Sequence, residues 1–535
     1  MKQLFIVAIL LFFFNSCSEE KTKISQLPIS STNDEAISFF NKALIHEMNF
    51  EFDEADNYYK SAISIDPNFI LAHIHLFREA STNTSYIDLS NRNTDLIESL
   101  ISNGTEYEKI LFEMYKIPFR RSDSAVFNKR LKIAQKLVDL YPKMVEPLTL
   151  LARQIPNYTV NNDWKNLRKN SLIKALEIDP NNIVASEELF YFNYGGTENS
   201  IRFRTDLEFY KSFDKDAQEL ISKFPNSTRV LRRVGNLYRN SYDYIDASRY
   251  EKSIDAFDKL LSILKKTESS FMKDVLKFKA DLLINIERRE ECYQTMMLAV
   301  DSSKSLNKKL DAMFATIISF ISGGDYLRAI KYIDKFDESL DEGFYGLDNE
   351  EISRKLWLKC KLSLNLYKAL IYAHANQSER ALESLNEYKR YAKDTFDYNN
   401  IKTNEDLQKY YSETDISWAR LRWRTIHPQQ ILNNEAWVSV LIGDDSRTKE
   451  ILNNLPDNSM WMGIHTVIKG DFDKGLEILS NHDSFYSQYF KAQALIGLGK
   501  IGDAKDILDN LRYLPYHNFD TSWTKNRAAR LYQTL

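Results

Sequence analysis

The sequence predicts an all-α fold, a superhelical solenoid of helical hairpins, and three observations lead to this prediction. Glycine and proline are scarce, at 15 and 11 of 535 residues, whereas β-sandwiches and β-barrels need many turn residues. Apolar residues recur at three- and four-residue spacings along most of the chain, which is the helical period. Short helix–turn–helix phrases repeat, and a repeat array can extend over any length because each unit buries its apolar face against its neighbours.

The charge distribution argues against one class of partner. The chain carries 71 basic and 75 acidic residues, for a net charge of −4, and no long block of like charge occurs. Proteins that bind nucleic acids usually concentrate Lys and Arg on one face. We therefore expect no nucleic-acid partner. The 30 tyrosines and 31 phenylalanines are expected mainly in the helical core.

The N-terminus has the pattern of a targeting segment. Residues 4–14 are eleven consecutive apolar residues behind a short head that carries Lys2. A bilayer span needs about 20 apolar residues, so this run suits the hydrophobic region of a signal peptide. It ends in Asn15-Ser16-Cys17. A small residue directly before a cysteine at this place resembles the lipobox of bacterial lipoproteins.

That resemblance implies removal of residues 1–16 and acylation of Cys17, so that the lipid anchors the protein in a membrane. Ser18 behind the cysteine resembles the sorting pattern for the outer membrane, with either the periplasm or the cell surface as the facing side. An ordinarily cleaved signal peptide and an uncleaved anchor stay open as alternatives. Residues 17–33 are polar and are predicted to form a flexible tether.

The clearest repeat covers residues 36–69. Two helical runs are separated by residues 49–51, and Asp66-Pro67 ends the second run. Small residues let helix axes approach closely, and proline ends a helix because it lacks an N–H donor. This unit resembles the tetratricopeptide-repeat family. The resemblance assigns signature positions to Ala43, Ala55, Tyr59, Ala62 and Pro67.

Similar endings recur up to residue 225, and we expect residues 34–225 to form the N-terminal repeats. Residues 172–180 repeat the ending with Ala175 and Pro180 at the matching positions. Pro142 and Pro225 mark two further endings. The interval from Pro180 to Pro225 is longer than the one before it, which predicts an enlarged helix or loop there.

Residues 226–393 are predicted to be degenerate helical repeats. The segments 255–264, 325–336 and 379–388 each have the pattern of the second helix of a pair. The pair Gly323-Gly324 is interpreted as a helix end, because no Lys-Ser/Thr follows it as in a phosphate-binding loop. The polar stretches 341–352 and 394–415 are predicted loops or joints.

Residues 394–535 contain a shorter repeat. Three similar phrases begin at residues 448, 475 and 504, which gives steps of 27 and 29 residues. An aspartate precedes each phrase and is suited to capping a helix: Asp444, Asp471 and Asp503. A last helix is predicted over residues 523–535. In total the pattern predicts about ten or eleven helix pairs.

No catalytic, metal or cofactor motif stands out. His73 and His75 are two residues apart, so a helix directs them to different sides and they cannot share a metal. Adjacent carboxylates such as Glu187-Glu188 are interpreted as a solvated face for the same reason. Cys292 and Cys360 are expected to be buried apolar residues, although a disulfide between them stays open. We expect no enzyme activity, no cofactor and no metal site.

One segment is a candidate binding surface. Trp418, Arg420, Arg422 and Trp423 concentrate residue types that are enriched at binding hot spots. The alternative is that the tryptophans, with Trp437 and Trp461 later in the chain, lie in the core.

The expected function follows from the architecture. A helical solenoid offers a groove that suits a peptide or a partner helix. The resemblance to tetratricopeptide proteins implies a protein–protein interaction scaffold or adaptor, which the lipid would confine to the bacterial cell envelope. The alternative is a glycan- or nutrient-binding lipoprotein that works with an outer-membrane transporter.

Overall fold

The fold is all-α in the part of the chain that the structure describes. The described helices number 25, with one short 3-10 helix at Ile101–Asn103, and no strand occurs in the same ranges. Among these helices, none has both the length and the hydropathy that crossing a bilayer requires. A computed structural model describes residues 27–82, 87–117, 124–155, 161–196, 199, 202–203, 206–240, 247–267, 271–303, 306–344, 350–398, 428–456, 458–514 and 519–535.

The helices belong to two compact units, residues 1–272 and 273–535. The first unit contains twelve described helices that pack as consecutive pairs. Their bounds are α1 Asp34–Met48, α2 Phe52–Ile65, α3 Ile70–Thr82, α4 Ile87–Leu100, α5 Glu106–Lys116, α6 Ser124–Leu140, α7 Val145–Gln154, α8 Asn162–Ile178, α9 Ile183–Tyr194, α10 Leu207–Lys223, α11 Thr228–Asn240 and α12 Ala247–Thr267.

The first helices of the pairs also pack against one another, and we call them the inner helices. Helix α3 contacts α5, α7 contacts α9, and α9 contacts α11. The pair α1–α2 shows why these helices approach closely. Ala43, Ala55 and Ala62 are fully buried, as is the ring of Tyr59 beside them. Small side chains at the crossing let the backbones come together while the aromatic ring fills the adjoining space.

The turns after α2 and α8 follow the prolines at which the repeats end. Helix α2 has Asp66 as its C-terminal cap and α8 has Asp179, each directly before a proline. The carbonyl of Pro67 accepts a hydrogen bond from Nε2 of His73 at 2.9 Å. After Pro180, the side chain of Asn182 accepts a hydrogen bond from the N–H of Ala185 and thereby caps α9.

The second unit contains thirteen described helices. The predicted all-α fold of consecutive helix pairs is confirmed in the part of the chain that the structure describes. The bounds are α13 Met272–Asn285, α14 Arg289–Asp301, α15 Leu306–Ser322, α16 Tyr326–Phe344, α17 Glu350–His374, α18 Ser378–Tyr398, α19 Pro428–Ile442, α20 Asp445–Leu452, α21 Met460–Ile468, α22 Phe472–Leu479, α23 Phe485–Gly497, α24 Ile501–Arg512 and α25 Phe519–Thr534.

Helices α16 and α18 are longer than the predicted segments 325–336 and 379–388. Gly324 has a φ of 76°, and the N–H of Asp325 donates to the carbonyl of Phe320 at 2.9 Å, so the glycine pair ends α15 as expected. The predicted loops at 341–352 and 394–415 are wrong in their described parts. Helices α16, α17 and α18 continue through residues 341–344, 350–352 and 394–398.

The short hairpins near the C-terminus follow the predicted steps. Helices α20, α22 and α24 begin at residues 445, 472 and 501, which reproduces the intervals of 27 and 29. Asp444 and Asp471 cap the first two helices with their side chains. The predicted cap at Asp503 is wrong, since α24 begins earlier and has Lys500 at its N-cap. Asp503 lies in the first turn, where its charge complements the helix dipole.

The last helix, α25, closes the second unit on helices much earlier in the chain. It pairs with α24, contacts α23 and also packs against α15. Trp523 is buried among Tyr486, Tyr489 and Phe490 of α23, with ring centroids 4.4 to 6.1 Å apart. The predicted capping helix therefore contributes to the core as well as covering the final repeat.

Candidate binding site on the inner helices of the first unit

The carboxylates of Glu187 and Glu188 lie inside the first unit, and the prediction that they form a solvated face is wrong. Their exposed fractions are 0% and 7%. Both belong to the inner helix α9 and are covered by α11, which follows about forty residues later, and by side chains of α7 and α8. A buried carboxylate needs charged or hydrogen-bonding partners, because desolvation otherwise favours the neutral form.

Glu187 receives two guanidinium groups. Nε of Arg229 donates to Oε2 at 2.8 Å, and Nε of Arg233 donates to Oε1. Burial raises the pKa of Glu187, but the charges and hydrogen bonds of these two arginines outweigh it. The net pKa is below the usual value for a glutamate. Glu187 is therefore ionised at neutral pH.

Glu188 is held by arginines from three other helices. Arg168 of α8 donates from Nη2 to Oε2 at 2.8 Å, and Arg229 donates from Nη2 to Oε1 at 3.2 Å. Arg153 of α7 approaches Oε1 with Nε at 3.9 Å. Arg168 also donates from Nη1 to the carbonyl of Ile155 at 2.8 Å. Burial lowers the pKa of Arg168 although Glu188 opposes this shift.

The turn between α1 and α2 covers this cluster from the beginning of the chain. The hydroxyl of Ser227 donates to Oδ1 of Asn49 at 2.8 Å, and the hydroxyl of Thr228 donates to the carbonyl of Asn49. The ring of Phe50 lies 4.2 Å from the guanidinium carbon of Arg229. Phe50 has a φ of 63°, an uncommon conformation for a non-glycine residue. The first pair thus contacts the sixth pair and closes the unit.

A second polar group joins a side chain of α2 to side chains of the inner helices α1, α3 and α7. The hydroxyl of Tyr59 donates to Oε2 of Glu47 at 2.6 Å, and Nδ1 of His75 lies 2.9 Å from the same oxygen. Nε2 of His75 lies 4.0 Å from Oε1 of Glu146. Tyr59 therefore anchors a hydrogen bond in addition to filling the crossing. His73 bonds elsewhere, so the two histidines do face different groups.

Two arginines of the buried cluster reach solvent. The side chains of Arg153 and Arg233 are 43% and 25% exposed, whereas Arg168 and Arg229 are buried. The guanidinium carbon of Arg233 lies 3.8 Å from the ring centroid of Tyr191, which holds the group over an aromatic face. Arg153 and Arg233 can therefore donate hydrogen bonds from positively charged groups at the solvent edge of the cluster.

Several residues singled out by the sequence have different placements. Cys17, Trp418, Arg420, Arg422 and Trp423 lie outside the described residues. The signature positions Ala43, Ala55, Tyr59, Ala62 and Ala175 are buried, as are Cys292 and Cys360. Trp461 is buried, Trp437 is partly buried and stacks on it at 5.6 Å, and both pack against Tyr486 of the second unit. No group of three or more metal-ligating side chains occurs among the described residues.

Sequence reasoning missed the arginine cluster, although one signal was present. Arg229, Arg232 and Arg233 occur at three- and four-residue spacings on α11, which places them near one another on one side of that helix. A basic stripe on a helix whose other face is apolar calls for acidic partners. No pattern within a few residues links this stripe on α11 to the carboxylates of α9, because helix α10 lies between the two helices in the sequence.

Comparison with known proteins identifies one repeat. Residues 36–69 match the tetratricopeptide repeat model, and this segment includes most of α1 and all of α2. No curated protein sequence matches the chain significantly. The match therefore places one helical pair in the tetratricopeptide family.

Solved structures of helical-repeat proteins are similar to the chain at low identity. They include a human IFIT1 dimer with m7Gppp-AAAA, at 13% identity over 79% of this chain and 90% of that chain, with a TM-score of 0.33. The TPR domain of P58(IPK) is 12% identical over 80% and 98%, with a TM-score of 0.19. The Naa15/Naa10 complex bound to HypK-THB is 9% identical over 94% and 79%, with a TM-score of 0.20. At these TM-scores, the similarities carry no conclusion about function.

Proposed function

We propose that the chain is a protein–protein interaction scaffold held at the bacterial outer membrane by a lipid on Cys17. The observation that carries the scaffold is the succession of packed helix pairs, one of which, residues 36–69, matches a tetratricopeptide repeat. Helical-repeat arrays present extended surfaces that suit peptides and partner helices. The lipobox-like sequence before Cys17 supports the anchor, and anchoring raises the effective concentration of the scaffold at the membrane.

The proposed partner is a protein or peptide that contacts the inner helices of the first unit. The partly exposed side chains of Arg153 and Arg233 support this location, because arginine is enriched in the energetically dominant parts of protein interfaces. We propose that the chain binds neither a nucleic acid nor a metal ion and that it catalyses no reaction.

Affinity capture from crosslinked, detergent-solubilised membranes tests the scaffold. The bait is the full-length chain with a C-terminal tag, beside an Arg153→Glu/Arg233→Glu variant and a Lys136→Glu control on α6. We expect the unchanged bait and the control to recover a partner in constant stoichiometry, and the double variant to lose it. Recovery of the same partner by the double variant would place binding elsewhere, and recovery of no protein by any bait would contradict the scaffold.

Fractionation and protease treatment of whole cells test the anchor. Replacement of Cys17 by Ala should move the protein from the membrane fraction to the soluble fraction, because acylation requires the thiol. Digestion of the unchanged protein in intact cells identifies the cell surface, and protection identifies the periplasmic side. A glycan-binding lipoprotein would instead be retained on immobilised polysaccharide, and the Trp418→Ala/Trp423→Ala variant would not be retained.

A further inference from the structure

The buried cluster of the first unit contains more positive than negative charge. Its contacts join two carboxylates to four guanidinium groups, which leaves a surplus of two positive charges. Arginine side chains keep their charge in proteins, so deprotonation does not remove the surplus. The cluster consists of Glu187, Glu188, Arg153, Arg168, Arg229 and Arg233.

The charges of the two carboxylates do not fully offset the effect of burial on the pKa of Arg168 and Arg229. Burial lowers the pKa of Arg229 despite the opposing charges of Glu187 and Glu188, and repulsion from Arg153 lowers it further. The pKa of Arg168 is also lowered, mainly by burial and to a smaller extent by repulsion from Arg233. Another negative charge near the cluster would therefore stabilise its cationic form.

The surplus charge is accessible at the two arginines that reach solvent. Arg233 uses Nε to bind Glu187, and its two Nη groups make no hydrogen bond within the described part of the chain. Arg153 approaches Glu188 only at 3.9 Å, which is longer than a hydrogen bond. Both side chains thus keep N–H donors that the carboxylates of the cluster do not use.

Guanidinium groups favour one class of ligand. Their parallel N–H donors match the two oxygens of a carboxylate or phosphate, and such charge-assisted pairs are stronger than neutral hydrogen bonds. The ring of Tyr191 holds the guanidinium of Arg233 at 3.8 Å, and this packing reduces the side-chain freedom that binding would otherwise cost. Because the surrounding cluster is buried, charges at its edge are screened less than charges on an open surface.

We propose that Arg153 and Arg233 bind an oxyanion, a carboxylate or phosphate group, at the solvent edge of the Glu187–Glu188 cluster. This site would be part of the surface that binds the partner protein. Only the source of the oxyanion rests on the proposed function. An acidic side chain of the partner protein is the source that a scaffold would meet. Free phosphate is the other source with the same chemistry.

Titration of the purified full-length chain with two probes tests the site. The probes are a tetraglutamate peptide blocked at both ends and inorganic phosphate, each at constant ionic strength, with isothermal titration calorimetry and thermal unfolding as readouts. We expect saturable binding of at least one probe, and a loss of affinity of at least tenfold in Arg153→Gln/Arg233→Gln. Lys136→Gln, at an exposed lysine of α6, should bind as the unchanged protein does.

Arg153→Gln alone keeps the test valid if the double variant unfolds. Arg153 makes no hydrogen bond to the cluster and lies 3.9 Å from Glu188, so this substitution removes charge without breaking a hydrogen bond. It should weaken probe binding several-fold while circular dichroism stays unchanged. Peptide binding without phosphate binding identifies a carboxylate site, and the reverse identifies a phosphate site.

Unchanged affinity in both variants, or no saturable binding of either probe, would overturn the oxyanion site. If neither probe binds but membranes still yield a partner, this inference fails and the scaffold stands. If the probes bind at Arg153 and Arg233 but no partner is captured, the scaffold fails and the oxyanion site stands.

Discussion

The indole N–H of Trp523 donates a hydrogen bond of 2.8 Å to Nδ1 of His374, a residue 149 positions earlier. The two rings also lie 5.3 Å apart. This contact joins α25 to the end of α17, and in it the indole N–H of Trp523 and the imidazole nitrogen of His374 satisfy each other's hydrogen-bonding need. The contact therefore helps to close the second unit, and its removal should affect the stability of that whole unit.

Replacement of Trp523 by Ala should destabilise the second unit strongly. The substitution empties a site that is surrounded by rings of α23 and leaves His374 without the indole donor. Large-to-small changes of buried aromatic residues cost about 3–5 kcal/mol. Urea denaturation followed by circular dichroism measures the change in the free energy of unfolding. Tyr513→Ala, at a residue 45% exposed, is the control and should change stability by less than about 1 kcal/mol. Equal effects of the two substitutions would contradict the closing role of Trp523.

Stability should fall in mild acid because of His374. Burial, with a smaller contribution from Arg527, lowers the pKa of His374 to about 3, whereas an unfolded histidine titrates near 6.5. Between pH 6.5 and about 3, the unfolded state binds a proton that the folded state excludes, so the free energy of unfolding decreases as the pH falls. Above pH 6.5 both states are neutral and this contribution is fully present.

His374→Gln tests this pH dependence because glutamine can accept the indole hydrogen bond but does not titrate. One proton corresponds to a slope of about 1.4 kcal/mol per pH unit, and the variant should lose that contribution. Urea unfolding at a series of pH values gives the slopes. His482→Gln changes a histidine that bonds to the carbonyl of Asn458 instead, and serves as the control. An unchanged slope in His374→Gln would show that His374 titrates alike in the folded and unfolded states.

Glu187→Gln should cost far more stability than removal of a surface carboxylate. It leaves two guanidinium groups beside a neutral amide in a buried site, and breaking a buried ion pair costs about 3–5 kcal/mol. Glu106→Gln removes the partner of Lys136 from a pair in which both side chains are 55% exposed, and exposed pairs contribute at most about 1 kcal/mol. Chemical denaturation of both variants checks the difference, and similar losses would mean that the cluster tolerates an unpaired charge.

Two glycines of the second unit should respond in opposite directions to alanine. A Cβ on Gly475 would lie 2.5 Å from Cγ2 and 3.1 Å from the backbone nitrogen of Val467, so α21 and α22 would have to separate. Overpacking of this kind costs about 1–3 kcal/mol. Gly502 in α24 has open space at the same position, and alanine there should be neutral or stabilise by up to about 1 kcal/mol. Thermal unfolding of the two variants compares them, and destabilisation by Gly502→Ala would show that α24 needs the glycine.

Local signals predicted much of the fold. The helical period, the helix ends before Pro67 and Pro180 and the side-chain caps at Asp444 and Asp471 all depend on residues a few positions apart. Such signals act through backbone sterics and hydrogen bonds within one turn. They failed where a competing start site was close by, as at Asp503, whose helix begins at the preceding Lys500 cap.

The sequence by itself therefore determined an all-α chain of helix pairs, with one recognisable tetratricopeptide repeat and short hairpins near the C-terminus. The tertiary structure decided which polar residues are buried. Glu187 and Glu188 have the local pattern of a solvated face, and they become a charged core only because α11 and the Asn49–Phe50 turn cover them. Burial depends on what packs against a residue from distant parts of the chain, and helical periodicity contains no information about that contact.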